Sequence, residues 1–171
     1  MLTRIWIKRG VATTVFLVTC SRQPPASTTT TGSNMQPLPP TENALVLRTD
    51  FTNQKTWELV RSEIEADSTA GFRAYVEFLD DPQYANASID QIRGLALNQQ
   101  AHSFLMIVDH EALTRDDHAF LVIGLREWNS QYVFRVIPDE AWNIENNVSL
   151  GNAGLEDYFD DLDGSGTFRG H

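Results

Sequence analysis

The sequence contains few cysteines and few basic residues, and both shortages exclude classes of function. Its one cysteine, Cys20, cannot form a disulfide within the chain or supply the two or more thiolates of a structural zinc site. Only 13 lysines and arginines stand against 23 aspartates and glutamates, which gives a net charge of -10. Because the phosphate backbone of a nucleic acid repels a chain of this charge, we expect no nucleic-acid binding.

The sequence also lacks the short motifs of common catalytic and cofactor sites. It has no GxSxG nucleophile elbow, no phosphate-binding loop and no dinucleotide fingerprint. We therefore expect no cofactor, and the absence of these motifs favours a binding domain over an enzyme. With 171 residues and 42% hydrophobic content, the chain is long enough to build one domain of ordinary size.

Residues 1–20 have the order of a secretory signal. Three basic residues precede an apolar run over residues 10–19, and no acidic residue interrupts the segment. The run is too short to cross the roughly 30 Å hydrocarbon layer of a bilayer. Its end, Leu17-Val18-Thr19-Cys20, resembles the lipobox of bacterial lipoproteins, with threonine where that motif usually has Gly, Ala or Ser. The resemblance implies that Cys20 is lipidated and that the protein is anchored to a membrane outside the cytoplasm.

Residues 21–43 are rich in serine, threonine and proline, which make up 13 of the 23 positions. Such a segment cannot bury enough apolar surface to offset its loss of conformational entropy, so we predict a disordered tether. A globular domain over residues 44–171 follows it. Alternatively, translation starts at Met35 and the domain is cytoplasmic. The folded part is acidic either way, because residues 1–20 contain three bases and no acid, and the net charge without them is -13.

The hydrophobic pattern of the globular part predicts alternating strands and helices. Strands are expected at residues 44–48, 72–79, 104–108, 120–125 and 132–137. Thr52 or Asn53 can cap a helix after the first strand, and Ser88 with Gln91 forms a capping box for a second helix. Two short helices are expected at about residues 140–147 and 155–162. This order predicts a single α+β or α/β domain, in which helices cover a mixed β-sheet.

A loop rich in histidine and acidic residues joins the third and fourth predicted strands, at residues 109–118. If these strands pair as a hairpin, Asp109 and His118 face each other at the base of the loop and can share a zinc or manganese ion with His110. The hypothesis is a metal-dependent hydrolase. The alternative is the ordinary polarity of a surface loop, since no HExxH-like spacing fixes the ligand geometry.

Charged residues also follow the first and third predicted strands. Arg48 and Asp50 lie at the carboxyl end of the first strand and Asp109 at that of the third. If the two strands are parallel neighbours, the three side chains meet where open α/β sheets bind ligands, which predicts a ligand or partner pocket. The alternative is an internal salt bridge, with Asp50 also capping the first helix.

Five short motifs of the globular part occur in a fixed order. They are Arg48-Thr49-Asp50-Phe51, Asp109, Phe134-Arg135-Val136, Glu145-Asn146-Asn147 and Phe168-Arg169-Gly170. In this order and spacing, residues 43–171 resemble an uncharacterised bacterial family, a domain of unknown function. The sequence differs from the family pattern at His171, where the family tends to have an aromatic residue, and in its long N-terminal extension. The resemblance implies the boundaries of the fold and assigns no activity.

These observations together predict a non-enzymatic, acidic interaction domain of a bacterial lipoprotein. Its negative charge favours a basic protein partner and steers the encounter with that partner at low salt. The competing interpretation is the metal-dependent hydrolase built on Asp109, His110 and His118.

Overall fold

One six-stranded sheet organises the part of the chain that the computed structural model describes, residues 35–96 and 102–170. The predicted signal and Cys20 lie outside the described residues. The strands are β1 (Ala44–Arg48), β2 (Val76–Leu79), β3 (Phe104–Val108), β4 (Phe120–Gly124), β5 (Val133–Val136) and β6 (Thr167–Phe168). The described helices are α1 (Gln54–Glu65), α2 (Ile89–Ala96), α3 (His110–Thr114), α4 (Ala141–Leu150) and α5 (Leu155–Phe159). None of these helices is long and apolar enough to cross a membrane.

The sheet is mixed, with the strand order β2-β1-β3-β4-β5-β6. Strand β1 pairs in parallel with both β2 and β3, whereas β4 is antiparallel to β3 and β5. Strand β6 adds in parallel to β5 at the far edge. The predicted α+β domain with a mixed sheet is therefore confirmed. The parallel pairing of β1 with β3 and the hairpin of β3 with β4 are also present.

Helices α1 and α2 cover opposite faces of the sheet. Val46 of β1 packs in one core cluster with Trp57 of α1, and Leu47 packs in a second cluster with Ile92 of α2. Neighbouring side chains of a strand point to opposite faces, so these two contacts show that β1 is buried on both sides. Burial on both sides explains why its sequence is a nearly continuous apolar run. Strands β2 and β3 flank β1, so the carboxyl ends of β1 and β3 form a topological switch point, the usual ligand position of such sheets.

Side-chain caps begin both of the long N-terminal helices. Of the two predicted caps of α1, Asn53 is used, since its Oδ1 accepts a 3.1 Å hydrogen bond from the backbone N–H of Thr56. At the start of α2, Ser88 N–H donates to Gln91 Oε1 at 2.9 Å, and Gln91 N–H donates to Ser88 Oγ at 3.2 Å. This reciprocal pair is the predicted capping box.

The structure departs furthest from the predicted elements at the start of β2 and in the loop at residues 109–118. Strand β2 begins at Val76 rather than Phe72, because Val76 pairs with Ala44, the first residue of β1, and earlier residues have no partner strand. The predicted polar loop at residues 109–118 contains α3, whose Ala112 and Leu113 are buried. Asp109 caps this helix by accepting a 3.0 Å hydrogen bond from Ala112 N–H.

The predicted tether also extends too far, because residues 35–43 pack against the domain. Leu38 is 0% exposed and lies in the same core cluster as Tyr84. The hydroxyl of Tyr84 donates a 3.0 Å hydrogen bond to the carbonyl oxygen of Gln36. The composition of the segment obscured this, since a single leucine among prolines and polar residues supplies the buried contact. Residues 21–34 of the predicted tether lie outside the described part of the chain.

Candidate functional site at the carboxyl edge of the sheet

Several charged side chains meet at one edge of the sheet, which we call the carboxyl edge. Strands β1, β3, β5 and β6 all run in the same direction, so their carboxyl ends lie together there. The edge therefore carries Arg48 and Asp50 after β1, Asp109 after β3, Arg135 near the end of β5 and Arg169 after β6.

A buried carboxylate orients an exposed histidine at the switch point. Asp50 is 5% exposed, and its Oδ2 lies 2.6 Å from Nδ1 of His110. Its Oδ1 accepts hydrogen bonds from the backbone N–H and the hydroxyl of Thr52, both at 2.6 Å. Burial alone raises the pKa of Asp50, but the hydrogen bonds from Thr52 and His110 outweigh burial and leave the pKa below its ordinary value.

The charge of Asp50 fixes the proton position on its partner. An ionised carboxylate only accepts hydrogen bonds, so Nδ1 of His110 carries a proton and donates it to Asp50. In the neutral imidazole, Nε2 then keeps a free lone pair. The side chain of His110 is 74% exposed, so the ring remains open to solvent. The arrangement matches the orienting half of an acid–base dyad.

Arg48 is buried and supports the loop that follows β1. It is 2% exposed, and its guanidinium donates to the carbonyl oxygen of Asp50 at 2.8 Å and to Gln54 Oε1 at 2.7 Å. It also forms a 3.1 Å salt bridge with Asp80. The ring of Phe51 covers it, with the ring centroid 4.3 Å from the guanidinium carbon. The predicted internal salt bridge therefore exists, but its acid is Asp80 rather than Asp50.

Asp109 lies at the same edge with a different partner. Its two carboxylate oxygens accept hydrogen bonds from Arg135 at 3.1 and 2.7 Å. Arg48, Asp50 and Asp109 are thus brought to one edge, as predicted, but each is held by its own contacts. Asp50 does not cap α1 either, because Asn53 takes that position.

The three predicted metal ligands are held apart. Asp109 binds Arg135, His110 binds Asp50, and His118 Nδ1 lies 2.8 Å from Glu63 Oε2. Within residues 35–96 and 102–170, no group of three or more histidine, cysteine, aspartate or glutamate side chains is placed to hold a metal ion. The hairpin that motivated the hypothesis is present, but α3 inside the loop turns these side chains toward different neighbours.

Alternating charges form a continuous chain of ion pairs along the edge. The order of the chain is Asp109, Arg135, Glu111, Arg115, Asp117, Arg169 and Asp163. The hydrogen bond from Arg115 is the largest effect on Asp117 and holds the pKa of that carboxyl well below its ordinary value. Hydrogen bonds from Ser165 and Arg169 lower the pKa of Asp163 in the same way. The chain of ion pairs leaves its three arginines fully engaged with carboxylates.

An open cavity of about 380 Å³ lies beside this chain of ion pairs. We call it the acidic cavity because five carboxylates line it. An apolar wall and the side chains of one histidine and one arginine make up the rest of the lining. Its lining residues are Glu63, Ala66, Asp67, Asp116, Asp117, His118, Ile137, Pro138, Asp139 and Arg169. Arg169 already binds Asp117 and Asp163, so the net charge that the cavity presents is negative.

Sequence reasoning missed both the acidic cavity and the contact of Asp50 with His110. The carboxylates of the cavity come from separate segments of the chain, and only the pair Asp116-Asp117 stands out in the sequence. A usable signal existed for the contact with His110. His110 directly follows Asp109, the first residue after β3, so the same parallel pairing that brings Asp109 near Asp50 brings His110 there as well.

The sequence was compared with known families and with curated proteins. Among the curated proteins, none matches the chain. A family model described as Domain of unknown function (DUF6924) matches residues 43–171, the span of the predicted resemblance. Packing begins somewhat earlier, with Leu38 buried in the core. Because the match covers well over half of the sequence, the chain belongs to this family of domains of unknown function.

Proposed function

We propose that this protein is a non-enzymatic, acidic interaction domain that binds a basic segment of a protein partner at the acidic cavity. The observation that carries the proposal is the concentration of five carboxylates around a concave surface with an apolar wall. Carboxylates attract cationic side chains, and a cleft lined by one sign of charge strengthens that attraction.

The ion pairs of the domain leave its negative charge uncompensated. Residues 43–171 contain 22 acidic and 9 basic residues. Six of the nine form salt bridges with acids inside the domain, namely Arg48, Arg61, Arg73, Arg115, Arg135 and Arg169. Their charges are therefore neutralised locally, and the surplus carboxylates determine the field that an approaching partner meets.

The shape of the acidic cavity suits a lysine or arginine side chain. Ile137 and Pro138 form an apolar wall against which the alkyl part of such a side chain can pack. Asp116 is exposed at the cavity, and Asp67 forms one exposed ion pair with Arg73. A cationic head group at the cavity mouth therefore meets the carboxylates of Asp116 and Asp67, which do not belong to the chain of ion pairs.

The proposal is tested by titrating the full chain with a tetralysine peptide at several salt concentrations. We expect Asp116→Asn to weaken binding about three- to tenfold, since it removes one charge at the cavity. Glu127→Gln removes the same charge from an exposed position outside the cavity and serves as the matched control. Binding that is insensitive to salt, or equal weakening by both variants, contradicts a specific site at the cavity.

For the location of the domain, we propose a lipid anchor at Cys20. The order of basic residues, apolar run and cysteine supports it, and so does the Ser/Thr/Pro-rich segment that follows. The intact mass of the protein from membrane fractions of its own cells tests the proposal. A lipid-modified chain beginning at Cys20 supports the anchor, whereas a chain beginning at Met35 contradicts it and places the domain in the cytoplasm.

A second candidate function is acid–base catalysis by His110, for which the specific observation is the contact with buried Asp50 at the switch point. The test is hydrolysis of a neutral activated ester, p-nitrophenyl acetate, at neutral pH. A rate that both His110→Gln and Asp50→Asn lower at least tenfold supports catalysis. A rate that is equal in the wild type and both variants contradicts it and leaves the contact with a structural role.

A further inference from the structure

A second cavity lies at the amino ends of β1 and β3, at the edge opposite to the carboxyl edge. Its volume is about 210 Å³. Residues 41–44 and 102–104 line it from the starts of the two strands, and Glu145 and Ser149 line it from α4. We call it the amino-edge cavity. Neither the proposed partner site nor the contact of Asp50 with His110 involves these residues.

Glu145 is a buried carboxylate with few partners inside the protein. It is 8% exposed, and its side chain accepts one hydrogen bond from the described residues, from Tyr75 N–H to Oε2 at 3.2 Å. Burial raises the pKa of Glu145, and the hydrogen bond from Tyr75 opposes this only in part. A carboxylate offers about four lone-pair positions, so most of its acceptor capacity is unused.

The unused oxygen of Glu145 keeps contact with solvent. Among the side chains of residues 35–96 and 102–170, a single nitrogen or oxygen atom is fully buried without a hydrogen-bond partner, and it is Nε1 of Trp142. Oε1 of Glu145 also has no hydrogen-bond partner among the described residues, but unlike Nε1 of Trp142 it is not fully buried and retains accessible surface. Because Glu145 lines the amino-edge cavity and is otherwise buried, this surface faces the cavity.

The rest of the lining adds hydrogen-bonding groups of both kinds and no lysine or arginine. His102 is buried, and its Nε2 lies 3.1 Å from the carbonyl oxygen of Pro39. Since a carbonyl oxygen only accepts, Nε2 carries a proton and donates it to Pro39. Polar side chains of Thr41, Asn43, Ser103 and Ser149 and a second carboxylate, that of Glu42, complete the polar lining.

We propose that the amino-edge cavity binds a compact organic cation, a small primary amine or amino alcohol, whose ammonium group donates hydrogen bonds to Glu145. An ammonium group supplies the donors and the positive charge that this buried carboxylate lacks. The volume is that of roughly seven water molecules in the liquid, so the ligand has only a few heavy atoms. A hydroxyl group on the ligand can pair with Ser103 or Ser149.

Ethanolamine is the probe for the test, and 1-propanol is its neutral counterpart of similar size. The full chain is titrated with each, and binding is followed by the rise in melting temperature and by the NMR shifts of residues 41–44, 102–104 and 145–149. We expect ethanolamine to bind at least tenfold more tightly than 1-propanol, because only the amine carries the charge that Glu145 requires. Equal affinity for the two, or NMR shifts outside the cavity, overturns the proposal.

The matched variants are Glu145→Gln and Glu127→Gln. Glu145→Gln keeps an acceptor for Tyr75 N–H and removes the charge, so we expect at least a tenfold loss of ethanolamine affinity. Glu127 is exposed and lies outside the cavity, and Glu127→Gln keeps wild-type affinity. If Glu145→Gln fails to fold, Ser149→Leu replaces it, because Ser149 is exposed and a leucine there occupies the cavity mouth. Wild-type affinity in a folded Glu145→Gln or in Ser149→Leu overturns the proposal.

Discussion

Oδ2 of Asp50 lies 2.6 Å from Nδ1 of His110, and this contact joins the segment after β1 to the start of α3 across 60 positions of sequence. Both residues follow neighbouring parallel strands, so the sheet itself brings them together. The buried carboxylate receives three donors, two from Thr52 and one from His110. Three hydrogen bonds to one buried charge make Asp50 a structural centre of the carboxyl edge.

Asp50→Asn is expected to lower the free energy of unfolding at pH 7 by about 1–3 kcal/mol, because the three donors lose a charged acceptor. The pKa of Asp50 is lower in the folded protein than its ordinary value, so its ionised form stabilises the fold. That contribution is present above about pH 4 and is lost as the pH falls through the folded-state pKa. Urea unfolding at pH 7 and at about pH 3 measures the difference.

The comparison with wild type decides the outcome for Asp50. The difference in free energy of unfolding between wild type and Asp50→Asn should be smaller at the lower pH. Asp90→Asn, at an exposed position of α2, is the control and should differ much less from wild type at pH 7. Equal stability of wild type and Asp50→Asn at pH 7 contradicts the assigned hydrogen bonds.

Arg48→Lys is expected to destabilise the domain by about 1–3 kcal/mol despite keeping the charge. The planar guanidinium of Arg48 reaches the Asp50 carbonyl, Gln54 and Asp80 at once, and a lysine ammonium lacks this fork. Phe51 and Trp57 also lose a stacked guanidinium at 4.3 and 5.1 Å from their rings. Chemical unfolding measures the change. The exposed Arg61→Lys, which keeps one surface pair with Glu65, is the control and should cost well under 1 kcal/mol.

Leu38→Ala is expected to lower the free energy of unfolding by about 2–5 kcal/mol, the usual range for a fully buried leucine. Leu38 is 0% exposed in the core, whereas Leu59 on α1 is 49% exposed, so Leu59→Ala should change the stability by less than about 1 kcal/mol. A Leu38→Ala variant as stable as wild type would show that residues 35–43 are not part of the folded domain.

The central part of the fold follows from local patterns in the sequence. Strands β1, β3 and β4 are continuous apolar runs, and Asn53 and Ser88 mark helix starts through their own hydrogen bonds. These signals involve only a few neighbouring residues, so they can be recognised in a single sequence. The mixed sheet then follows from the order of the strands and helices.

The remaining elements depend on tertiary partners. Strand β6 has only two residues, Thr167 and Phe168, which become a strand by pairing with Arg135 and Val136 of β5. Helix α3 has five residues, too few for an apolar pattern to repeat at helical spacing, and tertiary packing of its buried Ala112 stabilises it.

The candidate site was only partly predictable for the same reason. The meeting of Arg48, Asp50 and Asp109 at one edge depended on a parallel pairing of β1 with β3, which the sequence allowed without predicting and which the structure shows. The partners of these residues did not follow. Arg48 binds Asp80 and Asp109 binds Arg135. The partners of each pair are far apart along the chain, so no local sequence pattern indicates the contact.

The most direct test of the proposed function is NMR mapping of the tetralysine peptide on the isotope-labelled full chain at moderate salt. The account predicts that the shifted amides cluster in residues 63–67, 116–118 and 137–139 around the acidic cavity, and that Asp116→Asn reduces those shifts while Glu127→Gln does not. Shifts spread evenly over the acidic surface, or centred away from these segments, would contradict a partner site at the acidic cavity.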